Sequence, residues 1–121
     1  MTKPASLRLY AAMVAARKNI KNPKFDSTNP HFRNKFASLK AINAAVMEAY
    51  LEQGIVLAQE LVSTGEGGVG CVTHFLHESG EKLSLGPFMI NPTKNDPQGA
   101  ASATTYARRY SLQAACGVVG D

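Results

Sequence analysis

The segment Thr105-Tyr106-Ala107-Arg108-Arg109-Tyr110 holds the chain's densest concentration of chemistry. From Pro97 to Gly120, Arg108 and Arg109 are the only charged side chains, set among Ala, Ser, Thr and Gly with two tyrosines. Guanidinium forks and hydroxyls suit phosphate oxygens, and a tyrosine face suits a base. The same residues also suit a subunit contact, or arginines snorkelling over a core. Chemistry alone divides these readings evenly.

A second stretch, Asn29-Pro30-His31-Phe32-Arg33-Asn34-Lys35-Phe36-Ala37-Ser38-Leu39, interleaves basic and aromatic residues. Single-strand binders pair cations for the backbone with aromatic faces for the bases. The alternative is that Phe32 and Phe36 staple a loop to the core while Arg33 and Lys35 stay solvated. His31 reads as a phosphate or structural contact rather than a base.

Charge is segregated. Residues 1–40 hold nine Lys/Arg and one acid, Asp26, a net +8; residues 41–121 hold four Lys/Arg and eight acids, a net −4. A basic region of this kind can be the electrostatic footprint for a polyanion.

Other chemistries fail on spacing. Gly65-Glu66-Gly67-Gly68-Val69-Gly70 matches G-x-G-x-x-G, but Cys71 to Leu76 continues as a strand, whereas a dinucleotide site needs a helix there. No G-x-x-x-x-G-K-(S/T) occurs, which argues against a P-loop ATPase. Cys71, His74 and His77 sit three residues apart, so on a strand His74 points away from the other two and no zinc site forms. The acids do not cluster as a metal-dependent nuclease requires. Cys71 and Cys116 give no disulfide framework and read as reduced, buried thiols. No catalytic residue, metal or cofactor is expected.

These segments need elements to position them. A chain of 121 residues, 45% hydrophobic, fits one domain spanning 1–121. No apolar run is long enough to cross a membrane, and Met1-Thr2-Lys3-Pro4 carries no secretory signal. Ala5 to about Asn19 reads as a helix, with Leu7, Tyr10, Met13, Val14 and Arg17 on one face. Lys21 to Asn34, with Asn22-Pro23 and Asn29-Pro30, reads as a loop. Ser38 caps a helix to about Gln53, with Leu39, Ile42, Val46, Ala49 and Tyr50 as its stripe and Gly54 as its end. Ile55 to Ser63, Val69 to His77 and a short Lys82 to Leu85 read as strands joined by tight turns, hence antiparallel. Gly86 to Asn95 reads as a loop. Asp96-Pro97 opens a last helix that Gly117 stops after Cys116. Ala103, Ala107, Tyr110 and Ala114 form its sheet-facing stripe, with Ser102, Thr105, Tyr106, Arg109 and Gln113 beside it. Arg108 lies about 100° around the helix from Arg109. The fold class is α+β: N-terminal helices, a three-stranded antiparallel meander, and a C-terminal helix packed on the sheet.

The segment Asn29 to Leu39 resembles N-P-H-F-(K/R)-x-K-(Y/F)-A-x-L of the Erf (essential recombination function) family of phage single-strand annealing recombinases. Asp96-Pro97-Gln98-Gly99-Ala100-Ala101-Ser102-Ala103-Thr104-Thr105-Tyr106-Ala107-Arg108-Arg109-Tyr110-Ser111-Leu112 is similar to the family's D-P-Q-x-x-G-S-A-x-T-Y-A-R-R-Y-x-L. The chain departs from it at Ala101, where the family has Gly, and it ends at Gly120-Asp121, where members often continue into a variable tail.

The resemblance implies a β-β-β-α core shared with the wider annealing superfamily of Red-beta and the eukaryotic Rad-fifty-two protein. It implies single-stranded DNA as partner, assembly into a homo-oligomeric ring or helical filament, and annealing without ATP, in the cytoplasm of a bacterial host. A host single-strand binding protein or a phage exonuclease stand as further partners. Carried over residue by residue, it puts DNA contacts on Arg108, Arg109, Tyr106, Arg33 and Lys35, with Thr105 and Phe36 as weaker candidates. A scaffolding oligomer joined through the arginine pair and a metal-dependent DNA-processing enzyme are the rival readings.

Overall fold

The computed structural model describes residues 5–121, with side chains from Leu7 onward. Met1 to Pro4, the start read above for a leader, lies outside the described residues.

Local signals set most of the element boundaries. Ser38 has extended backbone, and its hydroxyl accepts the Ala41 amide at 3.1 Å, so α2 runs Leu39–Glu52. Asp96 does the same for α3, Pro97–Cys116, accepting the Gly99 amide at 2.6 Å. Gly117 closes α3 in the left-handed conformation, φ 71°, its amide returning to the Gln113 carbonyl. The first helix, α1, spans Ala5–Lys18.

Three strands follow α2 in order: β3 Ile55–Ser63, β4 Val69–His77 and β5 Lys82–Ile90, antiparallel with β4 in the centre. This is the expected α+β meander with the C-terminal helix packed on it. Alternation along β4 aims Cys71, Thr73 and Phe75, all 0% exposed, at the helices. Tyr50 of α2 meets Phe75 there, ring centres 5.4 Å apart, and Ile42, Val46, Ile55, Leu112 and Cys116 complete the core.

Four expectations need correction. The third strand does not stop at Leu85 but continues through Gly86 and Pro87 to Ile90. Those two residues sit where the register shifts between Cys71 and Thr73, on an edge strand, where proline's missing N–H disrupts no second ladder. The stretch from Lys21 to Asn34 is not all loop: β1 (Ser27–Thr28) pairs antiparallel with β2 (Lys35–Phe36), Ser27 opposite Phe36 and Thr28 opposite Lys35. The buried face of α1 is Leu9, Ala12 and Ala16, not the larger Leu7, Tyr10 and Val14, which are 47–57% exposed. Two alanines let the helix lie close on its neighbours, which periodicity does not register. In α3 the inward stripe is Ala103, Ala107 and Ser111, with Arg109, Leu112 and Gln113 also buried, whereas Ala114 is exposed and Tyr110 half-buried.

Candidate nucleic-acid interface

The hairpin of β1 and β2 docks on α3 through aromatic rings and one guanidinium. Arg109 lies 4.5 Å from the ring centre of Phe36 and 4.5 Å from that of Tyr110, with Tyr106 at 5.5 Å. The two tyrosine rings are 4.5 Å apart, and Phe88 of β5 stacks on Tyr110 at 6.1 Å. Arg109 is 9% exposed. Cation–π attraction of a desolvated arginine is worth about 2 kcal/mol, enough to hold a two-stranded ribbon that has no core of its own.

The chain beyond α3 straps the same junction. The Ala37 amide donates to the Gly120 carbonyl at 2.6 Å, and the Val119 amide to Asn22 Oδ1 at 3.2 Å. The Gly120 amide donates to Gln113 Oε1 at 2.8 Å. Tyr110 donates its phenolic proton to Asp121 at 2.5 Å, and Arg109 Nη1 stands 4.0 Å from the same carboxylate oxygen. Burial, then the Asp121 bond, pushes the Tyr110 hydroxyl's ionisation well upward, so it stays a donor. Arg109 Nη1 and Gln113 Nε2 have no hydrogen-bond partner among the described residues.

At the other end of the hairpin, Asp26 accepts from the Ser38 hydroxyl at 2.6 Å and from its amide at 2.7 Å. These two bonds hold the Asp26 carboxyl below its ordinary range. The one acid of the basic region is thereby engaged in joining the hairpin to α2.

Arg33 and Lys35 are exposed on this ribbon. Arg33 adopts φ 56°, a left-handed conformation uncommon for a side chain of its size. Thr105 and Tyr106 are exposed on the adjoining part of α3, Tyr106 at 42%. The structure thus brings Phe36, Tyr106 and Arg109 into one cluster, with Lys35 next to Phe36 in β2.

Arg108 stands apart from that cluster. Its Nε donates to Gln59 Oε1 of β3 at 3.3 Å, and Gln59 Nε2 returns a bond to the Arg108 carbonyl at 3.0 Å. It borders a groove of about 220 Å³ shared by α2, β3 and α3, with Asn43, Met47, Leu57 and Leu61. The step of about 100° between adjacent helical residues puts the two arginines on different flanks of α3.

Gln59 was not singled out from the sequence, nor were Thr73 and Ser111. Thr73 Oγ1 and Ser111 Oγ lie 2.7 Å apart in the buried layer, and Ser111 also donates to the Cys71 carbonyl at 3.3 Å. Gln59 Nε2 reaches Thr73 at 3.2 Å. This polar line fixes α3 in azimuth on the sheet and so decides which flank each arginine takes. The available signal was Thr73 at an inward position of an apolar strand, a buried hydroxyl that needs a partner.

The three residues weighed as metal ligands diverge. Cys71 faces the helices, and burial pushes its thiol up. His74 lies on the open face of the sheet between Ser84 Oγ at 2.6 Å and Glu60 Oε1 at 2.8 Å. His77 bonds Ser79 at 2.8 Å in the β4–β5 turn. Among the described residues no three His, Cys, Asp or Glu side chains converge on one point, and no helix is long and apolar enough to cross a membrane.

The class these features define is a small α+β domain with a β-meander, a basic hairpin and an arginine-bearing helix joined at one surface. The chain belongs to the ERF superfamily, whose family model matches residues 9–121. The resemblance drawn from the two motifs is borne out, and membership points to phage recombination and single-strand annealing as the role. No curated protein and no solved structure matches the chain.

Proposed function

We propose that the chain binds single-stranded DNA and anneals complementary strands without ATP, as a homo-oligomer whose subunits share one basic track. The observation that carries this reading is the Phe36–Arg109 contact. It joins the family's two motifs, through residues 73 positions apart in sequence, into a single surface.

Backbone phosphates lie on Arg33 and Lys35 of the hairpin and on Arg108 across α3, with Thr105 donating a hydroxyl and Tyr106 a ring face. Arg109 is buried among rings, so its part is to hold the hairpin and helix at a fixed separation. The protein screens strand–strand repulsion and orders the first strand, and base pairing supplies the sequence specificity. No residue acts as acid, base or nucleophile in this scheme.

The test mixes complementary fluorophore- and quencher-labelled oligonucleotides with the protein, without ATP or magnesium. Annealing faster than the spontaneous rate is expected, with a steep decline as salt rises. Spontaneous-rate annealing at low salt overturns the reading. Cutting of the oligonucleotides on adding a divalent metal would favour the enzymatic rival. Self-assembly with no oligonucleotide affinity would favour the scaffolding rival.

A further inference from the structure

The two phenylalanines of the hairpin have opposite fates. Phe36 is half-buried beneath Arg109, whereas Phe32, at the tip, is 79% exposed. An apolar ring held this far into water has an unfavourable solvation cost unless something covers it.

The tip is ordered by its own backbone. Asn29 Oδ1 accepts the His31 amide at 2.9 Å and the Phe32 amide at 3.4 Å. The Arg33 amide donates to the Asn29 carbonyl at 2.8 Å, and the Asn29 amide to the Asn34 carbonyl at 2.9 Å. The left-handed turn at Arg33 follows directly after Phe32. Backbone in that region persists only where its surroundings enforce it. Here Asn29 clamps the loop from inside, and the aromatic ring is left projecting from a fixed base.

What surrounds the ring identifies its ligand. His31 and Arg33 flank it in sequence, Lys35 follows on β2, and Asp26 is turned away on Ser38. An exposed apolar ring with Arg33 and Lys35 close by in the chain fits a nucleobase attached to a phosphate chain. It fits an apolar protein groove less well. The groove between α3 and β5 is lined by Leu85, Pro87, Phe88, Tyr110 and Ala114, with no acid in that lining, and Asp121 beside it is already bonded to Tyr110.

We infer that Phe32 is a base-stacking wedge: its ring lies against, or between, bases of the bound single strand once per subunit. The inference rests on the DNA-binding reading above and adds a residue and a contact to it. Arg33 and Lys35 beside the wedge hold phosphates next to the stacked step, which spaces the strand by subunit while leaving the other bases free to pair.

The chain has no tryptophan, so Phe32→Trp places a sole indole at the tip and Phe25→Trp one elsewhere in the same basic segment. Each variant is titrated with fluorescein-labelled oligo(dT), anisotropy reporting binding and indole emission reporting stacking. Saturable quenching of Phe32→Trp that follows the anisotropy curve, with Phe25→Trp little changed, is the expected result. Binding without quenching overturns the wedge and leaves the DNA-binding reading standing. No anisotropy change at low salt overturns both. Emission of Phe32→Trp that depends on protein concentration alone, and not on DNA, assigns the ring to a second copy of the chain and overturns the wedge. In parallel, Phe32→Ala is expected to weaken oligo(dT) binding about 5- to 100-fold with the salt slope unchanged, and Phe32→Tyr to restore it. A changed slope would mean that a phosphate contact had been lost instead.

Discussion

Arg109 and Phe36 lie 4.5 Å apart, guanidinium carbon to ring centre, and that contact fixes the basic hairpin to the last helix. A lysine at 109 would keep the charge but lose the planar stack against three rings. Truncation to alanine would remove the clamp and open a cavity between Phe36, Tyr106 and Tyr110. We expect Arg109→Ala to lower stability by about 2–4 kcal/mol and Arg109→Lys by less. In a double-mutant cycle with Phe36→Leu the coupling should be about 1 kcal/mol. Urea unfolding of the four proteins measures it, and additive losses would show that the contact carries no energy.

Arg33 offers a way to remove charge without disturbing shape. Its φ of 56° is one that glycine adopts freely and alanine does not. Arg33→Gly should therefore keep the hairpin, hold stability within about 0.5 kcal/mol, and reduce the slope of log affinity against log salt by about 0.7. Oligo(dT) binding at several salt concentrations checks this. An unchanged slope would remove Arg33 from the phosphate track.

Gly99 is required for reasons of space and Gly117 by its backbone conformation. A Cβ on Gly99 would stand 2.1 Å from the Lys94 carbonyl oxygen, where the loop folds back on the start of α3. A Cβ on Gly117 would strike the Arg17 guanidinium, which donates to the Cys116 carbonyl at 2.9 Å, and φ there is 71°. Gly117→Ala should cost roughly 1–2 kcal/mol from the left-handed backbone, and Gly99→Ala at least as much from the clash with the Lys94 backbone, about 1–3 kcal/mol. Thermal melts would show it, and a melt equal to wild type at either position would contradict the packing described.

Alkaline pH should unfold the protein through its core. Burial pushes the Tyr50 hydroxyl from 10.0 to about 12 and the Cys116 thiol from 9.0 to about 12. Both groups are harder to ionise folded than unfolded, so their neutral forms contribute stability that is complete below about pH 9. That contribution is lost as pH rises through 12. Urea midpoints should hold level from pH 7 to about 9 and then fall. Cys116→Ala should flatten part of the decline. A fall beginning well below pH 8 would mean that neither group governs it.

Much of this molecule was legible one residue at a time. Ser38, Asp96-Pro97, Gly54 and Gly117 act on backbone within a few residues of themselves, so they mark helix ends without help from the rest of the chain. The turns around Gly65–Gly68 and Glu78–Gly80 set the lengths of β3 and β4 in the same local way. The extension of β5 was hidden because Pro87 normally ends a strand, and only its partner β4, with a shift in register, makes room for it. The inward face of α1 was hidden because alanine carries too weak an apolar signal to outweigh Leu7, Tyr10 and Val14, although close packing selects it.

The candidate site divides along the same line. The sequence by itself determined its parts: a basic loop with two phenylalanines, a helix whose only charges are two arginines, and the two motifs of the family. Residue type and spacing suffice for that, because both are properties of short segments. Only the tertiary structure decided how the parts are placed. Neighbouring arginines diverge because a helix rotates about 100° per residue and the Thr73–Ser111 bond sets its azimuth on the sheet. Phe36 is covered and Phe32 is left in water because the hairpin meets α3 at Phe36, beside Arg109. That meeting point depends on contacts between residues 70 or more positions apart, and no local pattern encodes them.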